Sequence, residues 1–572
     1  MSKRWIFPEA HPDETAALAS AMGLTHPIAA ILISRGIANP AIARAFLAPQ
    51  LGDLHDPALL RDMPAAVERL SRAIRDRERI QIHGDYDVDG TTSTVILKIA
   101  IELAGGSASY RIPNRLTDGY GLQIAAIERA ATEGVSLIVS VDTGIRAGAA
   151  IRRATELGID VVVTDHHLPD AELPPALAVL NPNRLDCAYP EKNLCGVGVV
   201  FKLVQGLLAT LGWAPEKLRR ILESFLKLVA IGTVADVVPL TGENRLIVKH
   251  GLAGLHTIRN PGLRALLDVA GFSGESIPSA TQVAFRIAPR INAAGRMASA
   301  DEVVEMFLTA DPERARELAG KLHLLNTDRQ GEEARITELV LEECARIAVD
   351  DTHAALVFCA EKWHRGVLGI VASRLVERFH RPVFVLSEED GFAQGSGRSI
   401  AQFHLLAALE SMPHLFVKFG GHSHAAGLTL ASAQVAPFRQ SLNEYAGARL
   451  SADDFQPTLS IDASLRLTDL DDRLFHELQR LAPFGAGNTA PVFAVCGAEV
   501  AGPISFMKER HVRVPLRQGG RMVVLKGFHF AARAAELASG TRIDAAFCLE
   551  HDSYNGGWSA ILKDFRAASV PS

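Results

Sequence analysis

At 572 residues the chain is too long for one hydrophobic core and is expected to form three or four domains of roughly 150 residues each. Its 48% hydrophobic and 22% charged residues fit a globular protein, and a net charge of -6 excludes a uniformly basic nucleic-acid coat, though not a local basic channel. Six scattered cysteines make neither a zinc site nor a disulfide scaffold, and no charge-free run of about 18 residues occurs, so a cytoplasmic protein with no membrane contact is expected.

The N-terminal Met-Ser-Lys-Arg-Trp-Ile-Phe-Pro-Glu carries no apolar signal core, and residues 1–50 read as a small helical segment. From Arg79, apolar runs alternate with helix-like stretches, the pattern of βα units around a parallel sheet. Four of these runs end on acids. Ile80-Gln-Ile leads into His83-Gly-Asp85-Tyr86-Asp87-Val-Asp89-Gly90, and residues 135–141 lead into Asp142-Thr-Gly. Val-Val-Val-Thr leads into Asp165-His166-His167, and residues 228–235, read as a further strand, lead into Asp236. Additional strands are expected at 109–112 and 177–180. Asp311-Pro312, an N-cap followed by an N1 proline, opens a charged helix over 313–348, whose 36 residues would span roughly 54 Å. A second α/β region follows, with strands at 354–359 and 381–386. From Leu459 the texture is β-like, with segments 510–516 and 521–530 flanking the hairpin signal Gln518-Gly519-Gly520.

The expected domains are therefore an N-terminal segment (1–50), a catalytic α/β domain (51–308), a connecting helix (309–350), a second α/β domain (351–455) and a β-barrel (456–572). In open α/β sheets ligands bind beyond the carboxyl ends of the strands, so the acids should converge on one site. Crowded carboxylates repel and protonate unless a cation neutralises them. Carboxylates with a few imidazoles suit Mn²⁺ or Mg²⁺, and two such ions promote phosphoester hydrolysis. A calcium loop is the alternative for Asp85 to Gly90, against which stand its strand lead-in and the missing downstream glutamate.

In order and spacing, His83-x3-Asp87-x-Asp89, Val-Asp142-Thr-Gly, Asp165-His166-His167 and Ala235-Asp236 resemble the four core motifs of the DHH phosphoesterases. Gly196-Val-Gly-Val-Val-Phe-Lys, Arg290-Ile-Asn292-Ala-Ala-Gly295-Arg296, Trp363-His364-Arg-Gly-Val-Leu-Gly-Ile, Gly395-Ser396-Gly-Arg398-Ser399, Gly420-Gly421-His422-Ser-His424-Ala-Ala-Gly427 and Leu481-Ala-Pro-Phe-Gly-Ala-Gly-Asn are similar to the RecJ branch of that family. The resemblance implies a DHH-type parallel-sheet domain, a DHHA1-type second domain joined by the long helix, and an OB-like barrel. It implies an exonuclease that hydrolyses single-stranded DNA from the 5′ end to mononucleotides in recombination and repair, working as a monomer with a helicase and a single-strand-binding protein. His83, Asp87 and Asp142 would then hold one metal, and Asp89, Asp142, His166 and Asp236 the other. Asp85 and Asp165 would support these ligands from behind, and His167 would contact the scissile phosphate and protonate the leaving oxygen.

For substrate, Ser396 and Arg398 in a glycine-rich stretch have the chemistry to clamp a terminal phosphate. Arg115 and Arg296 are further phosphate candidates, Tyr86 and Tyr120 stacking candidates, and Asn292, Gly421, His422 and His424 substrate contacts by the resemblance. Between residues 505 and 530, Lys508, Arg510, Arg513, Arg517, Arg521 and Lys526 interleave with Phe506, Phe528 and Phe530, the makeup of a single-strand-binding ribbon. Two other functions compete: a phosphodiesterase of the same family acting on short oligonucleotides or cyclic dinucleotides, and a noncatalytic single-strand-binding replication scaffold. The barrel disfavours the first and the full ligand set the second.

Overall fold

A computed structural model describes residues 3–568 apart from 116, 117, 120, 275, 276, 351 and 553–555. The chain forms two compact units, one of residues 45–328 with 481–489, the other of residues 1–44, 329–480 and 490–572. No single helix among the described residues is long and apolar enough to cross a membrane, and all six cysteines are free.

The first unit is built on five parallel strands: β1 (Ile80–His83), β2 (Ala108–Arg111), β3 (Leu137–Val141), β4 (Asp160–Thr164) and β5 (Ala178–Leu180), in the order β2-β1-β3-β4-β5. β1, β3 and β5 are buried along their whole length, which is why they read as continuous apolar runs rather than alternating ones. The strand order reverses between β1 and β3, and a crevice at such a switch point is where an open α/β sheet binds its ligand. Helices α1 (Val88–Leu103), α2 (Gly196–Ala209) and α3 (Pro215–Ala235) pack together in the largest core cluster. One expectation fails here, because residues 228–235 are not a strand but the last turns of α3, with Asp236 at its C-cap. An unbroken apolar run looks the same in a strand and in a helix buried on every side, and α3 is enclosed by α1, α2 and the helix Gly242–Ala253.

The second unit contains a mixed sheet and a barrel. β6 (Leu356–Glu361), β7 (Val383–Glu389), β8 (Phe392–Arg398), β9 (Lys418–Gly421) and β10 (Ala425–Ala431) run in the order β9-β10-β8-β7-β6, with only β6 and β7 parallel. In the barrel, β11 (Phe493–Val500), β12 (His511–Gln518), β13 (Arg521–Gly527), β14 (Arg542–His551) and β15 (Trp558–Ala567) close a five-strand ring when β12 pairs back onto β11. Gly519 and Gly520 make the two-residue turn between β12 and β13, both with positive φ, as a primed hairpin turn requires. The strand Arg4–Ile6 pairs in parallel with Thr458–Ser460, and Trp5 Nε1 donates to Asp564, which ties the N-terminal helices into this unit. The 36-residue helix α5 (Pro312–Ile347) contains the boundary between the units and is capped by Asp311, whose carboxylate accepts from the Glu313 amide.

Candidate metal centre

Each acid of the cluster is placed by the end of an element. β1 ends at His83, and Asp87 caps α1 by accepting from the Gly90 amide at 3.0 Å. Asp89, one residue into α1, accepts from the amides of Gly196 and Val197 at 2.6 and 2.7 Å. These are the first amides of α2, so a helix N-terminus faces that carboxylate. Asp142 follows β3 with φ of 59°, a left-handed conformation that aspartate tolerates better than most residues, and its carboxylate stands where only glycine fits at 196. There, an added Cβ would lie 2.5 Å from Asp142 Oδ1. His166 Nε2 lies 3.2 Å from Asp142 Oδ1, 3.6 Å from Asp236 Oδ2 and 3.9 Å from Asp89 Oδ2.

Three sets of donor atoms each fall within 4.8 Å of one another: Asp85, Asp87 and Asp142; Asp89, His166 and Asp236; and Asp142, His166 and His167. Asp142 and His166 each belong to two sets, so the trios share one crevice. Asp85 belongs to the first of these sets. His83 is in none of the trios, but it is buried with both ring nitrogens unpartnered.

The electrostatics fit a cation held among these groups. Burial, then the charge of Asp87, pushes the Asp85 carboxyl up to about 8 and that of Asp89 to about 7. Burial and Asp89 push Asp236 to about 9, and burial with its four acidic neighbours holds Asp142 well above the carboxylate range. Burial lowers both His83 and His166 to about 4, keeping them neutral and able to donate a lone pair. Asp85 Oδ1, Asp142 Oδ1, Asp236 Oδ2 and His166 Nε2 are buried with no hydrogen-bond partner. Buried polar atoms are almost always paired, so this concentration of orphans at one point, all of them oxygen and imidazole donors, fits a divalent ion.

Asp165 differs from the rest. It accepts from the amides of Ile145, His166 and His167 at 2.9, 2.7 and 3.0 Å and lies 2.7 Å from His167 Nδ1. Burial works to raise its pKa, but these bonds, led by that of His167, hold it below the ordinary value. The imidazole is raised in turn, since its pairing with Asp165 outweighs burial. Two asparagines not singled out in the sequence fix this loop: Asn181 donates to the His167 carbonyl at 2.9 Å and Asn183 to the His166 carbonyl at 2.5 Å. Their only signal was an Asn-Pro-Asn turn directly after β5.

Of the substrate candidates, Arg115 stands over the Tyr86 ring at 5.2 Å, and Asn292 Oδ1 accepts from the Val88 amide at 3.2 Å, so this asparagine holds the start of α1. Arg296 follows Gly295 in helix α4 (Ala288–Met297), and a Cβ at Gly295 would meet the Tyr86 carbonyl at 2.5 Å. Tyr120 lies outside the described residues. The remaining candidates belong to the second unit. Ser396 and Arg398 sit in β8, a strand paired on both sides, so it is their side chains that are offered to a phosphate. Gly421 ends the edge strand β9, with φ of 147°. Its Cβ would meet the Ala425 carbonyl at 2.3 Å, so glycine is needed there for close pairing. The exposed His422 and His424 have ring centroids 6.4 Å apart, and burial, His424 and Arg398 all lower the His422 pKa, which places these groups at one corner. Gly369, in helix α6 (Leu368–Phe379), leaves the space that the Arg398 guanidinium fills.

The parallel sheet with acids and histidines at its switch point defines a DHH-type phosphoesterase domain, and the model of the DHH family N-terminal domain matches residues 79–233. The DHHA1 domain model matches residues 351–448 and the RecJ OB domain model 461–563. The single-stranded-DNA-specific exonuclease RecJ of Dickeya dadantii is 40% identical over 84% of this chain and 85% of its own length. RecJ of Escherichia coli is 38% identical over 86% and 88%. RecJ from Thermus thermophilus, solved in complex with Mn²⁺, superposes with a TM-score of 0.84 at 32% identity, covering 99% of this chain and 80% of that one. This chain belongs to the RecJ family.

Proposed function

We propose that the protein is a metal-dependent exonuclease that hydrolyses single-stranded DNA from the 5′ end to mononucleotides, serving recombination and repair. The observation that carries this reading is the set of orphaned buried donors from Asp85, Asp142, Asp236 and His166 at the β1/β3 switch point of a RecJ-family chain. His83, Asp87 and Asp142 would hold one divalent ion, Mn²⁺ or Mg²⁺, and Asp89, Asp142, His166 and Asp236 a second, with Asp142 common to both. When bound, such ions polarise a phosphoryl oxygen and make water acidic enough to attack at neutral pH. The α2 amides orient Asp89, and Asn181 and Asn183 fix the loop that presents both histidines. His167 is held through Nδ1 by Asp165, which keeps its Nε2 proton available for the leaving 3′ oxygen.

In the second unit, Arg398, Ser396, His422 and His424 supply the groups for a 5′-terminal phosphate. The barrel ribbon supplies strand binding: Phe506 and Phe528 are exposed, whereas Phe530 packs on Phe565. Arg517 and Lys526 are already paired with Glu499 and Asp552, which leaves Lys508, Arg510, Arg513 and Arg521 for phosphates. We assign the DHH domain to 51–308, the connecting helix to 309–350, the DHHA1-type domain to 351–455 and the OB domain to 456–572. A cytoplasmic monomer supplied with substrate by a helicase and a single-strand-binding protein fits this activity.

The test is degradation of a long single-stranded DNA labelled at either end, with Mn²⁺ or with EDTA. Metal-dependent release of the 5′ label as mononucleotide, while the 3′ label stays on shortening strands, is expected. Release of the 3′ label first, or turnover confined to dinucleotides, would overturn the reading.

A further inference from the structure

The stretch Leu481-Ala-Pro-Phe-Gly-Ala-Gly-Asn contributes no side chain to the metal centre. In sequence it lies between the helix Asp472–Arg480 and β11, both of the second unit, yet residues 481–489 belong to the first. There they pack on the segment that follows Asp236.

The contact is made by backbone. The Leu240 amide donates to the Ala486 carbonyl at 2.7 Å. A Cβ at Gly487, whose φ is 67°, would lie 2.9 Å from Pro239 Cβ, and one at Gly485 would lie 2.7 Å from Leu240 Cδ1, so two glycines let the loop rest directly on these residues. The loop is itself held from inside the unit. The buried Arg245 donates to the Leu481 and Ala482 carbonyls at 2.8 and 2.9 Å, and the buried Asn488 donates to the Leu481 and Pro483 carbonyls at 2.9 and 2.7 Å. Asn244, one residue before Arg245, donates to the Pro239 carbonyl at 3.1 Å, so both sides of the contact are anchored on the helix Gly242–Ala253.

Asp236 is the ligand that needs such support. Two α2 amides orient Asp89 and a capping bond orients Asp87, whereas Asp236 Oδ2 is buried with no hydrogen-bond partner. It also stands at the C-terminal end of α3, where the helix dipole disfavours a carboxylate. The next residue, Val237, has φ of 61°, uncommon for a β-branched side chain, and is 70% exposed, so it adds little packing. The chain beyond Asp236 is fixed at Pro239 and Leu240, where the loop lies. Resting on the metal-centre reading above, we propose that residues 481–489 are a positioning element for Asp236. They hold the backbone that follows this ligand, which keeps its carboxylate 3.6 Å from His166 Nε2. The affinity of the centre for its second ion thus depends on a loop far along the chain from the motifs that supply the ligands.

The test is Mn²⁺ binding by the full chain, followed through the electron paramagnetic resonance signal of the free ion, with melting curves and single-strand affinity measured in EDTA. Groups that orient a metal ligand typically change metal affinity by about 10- to 100-fold. Gly487→Ala should therefore weaken one of two ions by about tenfold or more, with strand affinity in EDTA as in the parent. Asn488→Asp, which keeps the side-chain volume and removes both donors, should do the same. Gly497→Ala, at a φ of 68° with open space around it, carries the backbone strain without the contact and should bind Mn²⁺ as the parent does. In an Asp236→Ala background, Gly487→Ala should weaken Mn²⁺ binding no further, because its effect passes through that ligand. Unchanged Mn²⁺ affinity in Gly487→Ala and Asn488→Asp, with a lower melting temperature as their only effect, would overturn the proposal, as would an equal loss in the Asp236→Ala background. A parent that binds no Mn²⁺ would overturn the metal centre itself and the proposal with it.

Discussion

Gly196→Ala is the sharpest probe of how the centre is assembled. The new Cβ would lie 2.5 Å from Asp142 Oδ1 and 2.6 Å from its Cβ, against about 3.4 Å for ordinary contact, so α2 or the Asp142 turn must give by roughly 0.9 Å. That movement acts on two ligands together, because the Gly196 amide also holds Asp89 at 2.6 Å. Positioning errors near 1 Å cost about 100-fold in rate, or close to 3 kcal/mol in transition-state stabilisation. Helix propensity favours alanine over glycine by about 1 kcal/mol and offsets part of the overpacking, so the fold should survive. Gly198→Ala is the control, since its Cβ would meet the Leu194 side chain at 3.2 Å and Cys195 Sγ at 3.7 Å and no metal-site residue among its nearest neighbours. Strand degradation and Mn²⁺ titration, with melting curves for both variants, separate the effects. Activity of Gly196→Ala within threefold of the parent, with unchanged Mn²⁺ affinity, would refute the argument that α2 and Asp142 are packed to contact.

Other outcomes follow from the same geometry. Asp165→Asn removes the carboxylate that raises the His167 pKa, so the alkaline limb of the pH–rate profile should move to lower pH, with a stability loss of about 3 kcal/mol from two weakened charge-assisted bonds; an unmoved limb would remove His167 from the proton transfer. Because Asp85, Asp89 and Asp236 have folded-state pKa values raised to about 8, 7 and 9, the metal-free protein keeps their full stability only below the unfolded value near 4 and loses it as pH rises through 7 to 9. Mn²⁺ should therefore raise the melting temperature more at pH 8 than at pH 6, and equal shifts would contradict that. Arg510→Ala/Arg513→Ala should lower the salt slope of single-strand affinity by about 1.4, whereas Arg517→Ala, whose guanidinium is occupied by Glu499 at 2.8 Å, should lower it by less.

Much of the site was legible because parallel strands buried on both faces must read as apolar runs, and the acids that end β1, β3 and β4 stand out against them. Asp236 was assigned correctly to the crevice on the wrong element, since residues 228–235 are equally apolar whether they form a strand or the enclosed end of α3. The positioning contacts were not legible. Asp89 and the Gly196 amide are 107 residues apart, and the Asn183 bond to the His166 carbonyl depends on how β4 and β5 lie together. The reason for the glycines around Arg398 was not legible either: Gly395 and Gly397 are small because the Val385 carbonyl and the Phe384 ring press against β8.

The most direct measurement is the anomalous difference map of crystals grown with Mn²⁺, for the parent and Asp142→Ala. The account predicts two peaks about 4 Å apart on either side of Asp142 in the parent and loss of at least one in the variant. A single peak in the parent away from Asp142, or two undiminished peaks in Asp142→Ala, would contradict it.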